Sequence, residues 1–137
     1  MEFLERLSGR LAQLERGRHI TIIDPFLYAP IVEADTEVKL AMSARIKSAC
    51  IDLLEDCDAL LALTDDNDTG TAFEAGYAHC LNMPVILISS GTCDTANAML
   101  LGAAKERFDN ILDDAPIAML ALLLISIRAE KTGTNQP

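Results

Sequence analysis

Short, wholly apolar runs alternate with longer amphipathic segments along this chain. Apolar residues recur at helical spacing over residues 2–16, 37–55, 68–82, 96–104 and 116–129. The apolar runs between them are HITII (19–23), ALLAL (59–63) and PVILI (84–88), and RFDNIL (107–112) predicts a short edge strand. ALLAL fits either type by periodicity, but its shortness and its place between two helical patterns favour a strand. Alternating helices and buried strands predict a parallel sheet covered on both faces, an α/β domain of three-layer, flavodoxin-like type.

Details of the pattern mark the ends and the buried faces of these helices. Gly17 is expected to end the first helix. The second helix is expected to place one apolar face toward the core, formed by Leu40, Ile46, Cys50, Leu53 and Leu54. The run IAMLALLLISI (117–127) is shorter than the roughly 20 residues of a membrane span, so we interpret it as a buried or interface helix. We predict a single domain over residues 1–130, followed by a polar tail over 131–137.

Composition and charge narrow the classes of partner. Half of the 137 residues are apolar, as in ordinary globular domains. The formal charge of −10 argues against nucleic acid or an anionic membrane as a partner, although backbone donors can still hold a small anion. The four cysteines form no CxxC pair or zinc-ligand spacing. We therefore expect free or buried thiols, no zinc site and, without a visible signal peptide, a cytoplasmic protein.

Polar loops follow the three predicted strands, and ligands of such sheets bind at that edge. The loops are DPF (24–26), TDDND (64–68) and SSGT (89–92), so Asp65, Asp66 and Asp68 are expected at the mouth of a cleft. One interpretation is that Asp68 caps the next helix and that Glu74 is a solvated helix residue. However, the neighbours of Glu74 are apolar or glycine. An ionised carboxylate held near a helix N-terminus is also what a nucleophile at an anomeric carbon requires.

The block DTGTAFEAGYAHCLNMPVILI (68–88), preceded by CDALLAL (57–63), resembles the nucleoside 2-deoxyribosyltransferase family. NAMLLGAA (97–104) is similar to a second family segment, and to one in the related deoxynucleoside 5′-monophosphate N-glycosidases. The resemblance implies that Glu74 is the nucleophile and that Asp68 contacts the base and assists its protonation. It also implies a homo-oligomer in which Asn97 completes a neighbouring subunit's site. No metal or cofactor is expected, since the implied chemistry needs only carboxylates. The further substrate-binding residues that we predict are Gly70, Thr71, Tyr77, Asp24 and Phe26.

Two features depart from the family pattern. Cys50 stands where the family usually has an Asp, and Asp52 faces another way because two helical residues turn by about 200°. Family members also open with a strand of IYLAGP type, whereas this chain begins at the helix that should follow it. We therefore expect an incomplete or rearranged sheet, which a late start codon or a truncated chain would explain.

Three hypotheses about function follow. The first is a transferase that exchanges bases on 2′-deoxynucleosides, with roles in nucleoside salvage or nucleotide metabolism. The second is a hydrolase that releases the base from deoxynucleosides or their 5′-monophosphates. Asn97 favours the unphosphorylated substrate, but the hydroxyls of SSGTCDT (89–95) could cradle a phosphate, so this choice stays open. The third is a non-catalytic nucleotide-binding module, for which Glu74→Ala would leave affinity nearly intact.

Overall fold

A computed structural model describes residues 2–14, 16–23, 36–66 and 68–133 of the chain. Its helices are α1 (Glu2–Gln13), a 3-10 helix (Arg16–His19), α2 (Thr36–Glu55), α3 (Thr69–Cys80), α4 (Ala98–Ala103) and α5 (Asp114–Lys131). Its strands are β1 (Leu60–Leu63), β2 (Val85–Ile88) and β3 (Glu106–Phe108). The chain divides into two compact units, Met1–Thr21 with Asp58–Pro137, and Ile22–Cys57, which contains α2.

The three strands form one parallel sheet in the order β1-β2-β3. Leu60 pairs with Val85 and Leu63 with Ile88, so β1 and β2 match along their whole length. All four residues of β2 are buried. Because neighbouring residues of a strand point to opposite faces, both faces of this central strand are covered. The sheet is open and flanked by helices, which confirms the predicted flavodoxin-like α/β class.

The helices that connect the strands pack on the sheet, and the two outer helices pack on each other. Helix α3 contacts β1 and β2, and α4 contacts β2. Helix α1 packs against α5, with Leu7 and Leu11 of α1 buried. Arg10 of α1 also forms an ion pair with Asp114 in the first turn of α5.

A second group of ion pairs holds the last turns of α5 beside the start of β1. Asp58 accepts from Arg128 at 2.9 Å and lies 3.0 Å from the Lys131 ammonium nitrogen. Burial alone would raise the pKa of Asp58, but the hydrogen bonds and positive charges of Lys131 and Arg128 outweigh it and lower that pKa. Both ends of α5 are therefore tied electrostatically to other elements of the same unit.

The prediction of a strand at HITII was wrong. His19 ends the 3-10 helix, and residues 20–23 belong to no strand. The N–H of Ile20 donates to the carbonyl of Gly17 at 3.1 Å, so the helical turn takes a donor that a strand ladder would need. β-branched residues favour a strand only when a neighbouring strand is available, and no described strand pairs with this run.

Several boundaries also differ from the prediction. Helix α1 ends at Gln13 rather than near residue 16, and Gly17 lies within the 3-10 helix. In α2 Leu54 is buried, but Leu40 is 70% exposed, so the predicted apolar face was wrong at that residue. The last strand is Glu106–Phe108, which is shorter than the predicted RFDNIL. The predicted loop DPF (24–26) lies outside the described residues.

Two glycines give a matched test of how closely the chain packs on α1. A Cβ atom added at Gly17 would lie 2.0 Å from the carbonyl oxygen of Leu11, whereas one added at Gly9 would meet nothing within 4 Å. We expect Gly17→Ala to destabilise the fold by about 1–3 kcal/mol, as overpacking does. Gly9→Ala is expected to stabilise it by about 0.5–1 kcal/mol, because Gly9 lies inside a helix. Urea unfolding followed by circular dichroism measures both, and equal effects of the two substitutions would contradict this account.

Candidate active site

The N-terminus of α3 lies at the carboxyl edge of the sheet, the edge at which the parallel strands end. Asp68 caps this helix, as one interpretation of the sequence predicted. One of its carboxylate oxygens accepts the backbone N–H of Gly70 at 3.2 Å, and the other accepts the hydroxyl of Thr71 at 3.3 Å. A Cβ atom at Gly70 would lie 3.2 Å from the Asp68 carboxylate, so this turn favours glycine. The structure thus brings Asp68, Gly70 and Thr71 together.

Glu74 lies one turn further along α3 and is half-buried. Within the described part of the chain, no hydrogen bond or ion pair reaches its carboxylate. Burial raises the pKa of Glu74, and the nearby negative charge of Asp68 raises that pKa further. Glu74 is therefore only partly solvated. Its raised pKa is opposite to the expectation that the helix N-terminus holds this carboxylate ionised, because burial and the charge of Asp68 outweigh the helix dipole. Such a carboxylate retains lone pairs for a bound molecule.

Asp65 joins the loop before α3 to the loop after β2. Its carboxylate accepts the hydroxyl of Ser89 at 2.7 Å, the hydroxyl of Ser90 at 2.5 Å and the backbone N–H of Ser90 at 3.1 Å. Burial alone would raise the pKa of Asp65, but the hydrogen bonds from Ser90 and Ser89 outweigh it and lower that pKa. The loops that follow β1 and β2 are therefore held together by one ionised side chain.

The loops after β2 and β3 are joined in a similar way. The carboxylate of Asp109 accepts the backbone N–H of Cys93 at 2.7 Å. The backbone N–H of Asn110 donates to the carbonyl of Gly91 at 2.8 Å, and that of Ile111 donates to Ser89 at 3.0 Å. Asn110 has a φ of 48°, in the left-handed region that asparagine tolerates better than most residues. All three post-strand loops therefore form one connected rim.

The structure describes some of the other predicted site residues but not all of them. Asn97 caps α4, and its side-chain oxygen accepts the N–H of Met99 at 2.8 Å. Tyr77, one turn after Glu74 on α3, is half-buried. Asp24 and Phe26 lie outside the described residues.

Sequence reasoning missed the pairing of Asp65 with Ser89 and Ser90, and that of Asp109 with Cys93. A signal for the first pairing was available, because ALLAL and PVILI are equally long and their following loops hold an acid and two hydroxyls. If the strands pair in parallel, these groups meet at the same edge. The second pairing has no comparable signal, since β3 is only three residues long.

The described residues contain neither a cluster of metal ligands nor a membrane-spanning helix. No group of three or more His, Cys, Asp or Glu side chains in the part of the chain that the structure describes could hold a metal ion. Among those same residues, no helix combines the length and apolarity that crossing a bilayer requires.

The chain is an α/β protein whose carboxyl-edge loops and half-buried glutamate form a candidate site. Residues 4–114 match the sequence profile of the family described as nucleoside 2-deoxyribosyltransferase. The chain belongs to this family, which confirms the resemblance seen in the sequence. The family generally consists of glycosyl transferases and hydrolases that act on small nucleosides, so the protein is an enzyme of that general kind. A search of curated proteins returned no individual match.

The buried charge of Glu74 has a consequence for stability. Its pKa is raised in the folded chain, so between the unfolded and folded pKa values the folded state binds more protons, and stability falls as pH rises. We expect Glu74→Gln to raise the melting temperature at pH 7. This gain should vanish at pH values below about 4, under the usual pKa of glutamate. Melting curves at several pH values test this, with exposed Glu130→Gln as the control that should show no such gain.

Proposed function

We propose that this protein is a nucleoside 2-deoxyribosyltransferase that moves the sugar of a 2′-deoxynucleoside from one base to another. The observation that supports this most directly is the half-buried carboxylate of Glu74, which has no described protein partner and lies beside Asp68 in a chain of this family. A carboxylate held away from bulk water is a stronger nucleophile than a fully hydrated one, because less water must be displaced when it attacks.

The first half-reaction would form a covalent intermediate. One carboxylate oxygen of Glu74 attacks C1′, and the N-glycosidic bond breaks with its electron pair going to the base nitrogen. That nitrogen takes a proton as the base leaves, and Asp68 assists this transfer. The product is a 2-deoxyribosyl ester of Glu74. Without a 2′-hydroxyl, the positive charge that develops on the sugar is less destabilised, so the oxocarbenium-like transition state forms more readily.

The second half-reaction reverses these steps with a different base. A nitrogen of the incoming base attacks C1′, the ester bond breaks, and its electron pair returns to the carboxylate of Glu74. The proton that the incoming base loses returns through Asp68. Gly70 and Thr71 act as positioning residues, since their donors fix the Asp68 carboxylate at 3.2 and 3.3 Å. Tyr77, Asp24 and Phe26 complete the proposed substrate-binding set.

Asn97 is assigned a role between subunits in a homo-oligomer. Its side-chain oxygen already caps α4, which orients the amide and leaves its nitrogen able to donate. In the proposed assembly, that amide nitrogen reaches the deoxyribose in a neighbouring subunit's site. Met99, which is 82% exposed two residues later, adds apolar surface beside it.

Base exchange tests the proposed function directly. The purified chain is incubated with 2′-deoxyinosine or thymidine, with and without adenine, and the products are separated by chromatography. A transferase produces 2′-deoxyadenosine only when adenine is present. Release of free base with no new nucleoside would identify a hydrolase instead. Binding of deoxynucleosides without any turnover would exclude both enzymes and leave a binding module.

A further inference from the structure

The loop after β2 has the hydroxyls and backbone N–H groups of a phosphate site. These donors, however, already form hydrogen bonds within the protein. The hydroxyls of Ser89 and Ser90 and the backbone N–H of Ser90 form a cluster that we call the serine nest. All three donors point to the carboxylate of Asp65, at 2.5 to 3.1 Å. Hydroxyls combined with backbone N–H groups in a loop are a common arrangement for binding phosphate. In this protein a side-chain carboxylate occupies that arrangement.

The neighbouring donors of the loop are also engaged within the chain. The N–H of Gly91 donates to Ser89 Oγ at 3.0 Å, and the N–H of Cys93 donates to the Asp109 carboxylate at 2.7 Å. The N–H of Asp94 donates to the hydroxyl of Thr92 at 3.1 Å. A phosphate could therefore enter the nest only by displacing Asp65.

We propose that Asp65 acts as a built-in anion in the serine nest and thereby restricts the enzyme to unphosphorylated 2′-deoxynucleosides. This inference rests on the proposed function. Asp65 is three residues before Asp68 in the chain, so their Cα atoms are at most about 11 Å apart, which is within the dimensions of a nucleotide. A 5′-phosphate in this region would meet the negative charge of Asp65 and find the donors of the nest occupied.

The ionisation state of Asp65 agrees with this role. Burial acts to raise its pKa, but the hydrogen bonds of Ser90 and Ser89 lower it below the usual value, so the side chain is charged at neutral pH. A like-charged phosphate would be repelled, and its approach would require charge-assisted hydrogen bonds to break. A nucleoside with a neutral 5′-hydroxyl meets neither obstacle.

A binding experiment tests the nest without relying on catalysis. Asp65→Ala removes the internal anion and leaves the three donors of Ser89 and Ser90 unpaired. The control Asp66→Ala removes an exposed acid from the same loop without touching the nest. Melting temperatures are measured in inorganic phosphate and in chloride of equal ionic strength. Phosphate should stabilise Asp65→Ala more than the wild type or Asp66→Ala, and a further Ser90→Ala change should remove that gain. The control also corrects for the general stabilising effect of phosphate on proteins.

Kinetics test the consequence for substrate choice. The ratio of kcat/KM for a deoxynucleoside to that for its 5′-monophosphate should fall by about 10- to 100-fold in Asp65→Ala, and remain unchanged in Asp66→Ala. Asp65→Asn provides a second variant if the alanine variant does not fold, because it removes the charge and keeps the size. This variant should show a smaller fall in the same direction.

The outcomes separate this inference from the proposed function. If the wild type cleaves the nucleoside and the monophosphate equally well, the inference is wrong although the enzyme assignment stands. If no deoxynucleoside is cleaved at all, the proposed function is wrong, and the phosphate measurement alone decides whether Asp65 fills an anion site. Equal stabilisation of the wild type and Asp65→Ala by phosphate, or of neither, would overturn the inference.

Discussion

Replacing Glu74 with alanine is expected to lower the rate of base exchange by about 10⁴-fold or more. Loss of a nucleophile removes the covalent route, and losses of this size are typical when a residue that forms the intermediate is removed. The measurement is initial rates of 2′-deoxyadenosine formation by chromatography, with equal amounts of folded protein. In the wild type mixed with 2′-deoxyinosine alone and quenched in acid, mass spectrometry should find a deoxyribosyl adduct on the peptide that contains Glu74.

A matched control separates loss of the nucleophile from loss of charge. Glu130 is an exposed acid near the end of α5, and Glu130→Ala should leave the rate within about twofold, as surface changes away from a site usually do. The assignment of Glu74 would be wrong if Glu74→Ala kept at least a tenth of the wild-type rate. It would also be wrong if the adduct mapped to another carboxylate, such as Asp68.

Shortening Ile86 to alanine is expected to destabilise the fold by about 2–5 kcal/mol. Ile86 is fully buried in the central strand, where it pairs with Leu61 on one side and Glu106 on the other. Removing its outer carbons loses contacts and leaves a cavity that a parallel ladder on both sides prevents from closing. The loss is a large share of the roughly 5–15 kcal/mol that holds a typical domain together.

Urea unfolding followed by circular dichroism measures this loss, since the chain contains no tryptophan to report on its core. Leu122 is a matched control, because it is a large aliphatic residue that is 48% exposed on α5. Leu122→Ala should change the free energy of unfolding by no more than about 0.5 kcal/mol. A cost below about 1 kcal/mol at Ile86 would mean that β2 is not the centre of the core.

Features that depend mainly on residues close together in the sequence were predicted correctly. PVILI forms the buried central strand, and Asp68 caps α3 through a donor only two residues away. HITII shows where local reasoning fails, because its β-branched residues favour a strand but the turn at Gly17 takes the N–H of Ile20. Strand formation depends on a partner that the run itself does not specify. The single domain over residues 1–130 stays a prediction.

The rim of the candidate site depends on residues far apart in the chain. The sequence predicted that acids and hydroxyls lie at one edge of the sheet. The structure shows Asp65, Ser89 and Ser90 together at that edge. The sequence did not predict that they bind one another, because either group could equally have been left to bind a ligand. The apolar neighbours of Glu74 do not explain its half-buried state, since Phe73 beside it is 56% exposed. Its catalytic role remains a prediction until the exchange reaction is measured.

The pairing of Asp65 with Ser90 continues the register of the buried sheet. Leu63 pairs with Ile88, and Asp65 lies two residues beyond the first as Ser90 lies two beyond the second. An insertion or deletion of one residue directly after β1 would leave the hydrogen bonds between the strands intact. It would, however, move the Asp65 carboxylate out of hydrogen-bonding reach of Ser89 and Ser90. A length change at Thr64 or Asp65 should therefore break the contact between the two loops without breaking the sheet.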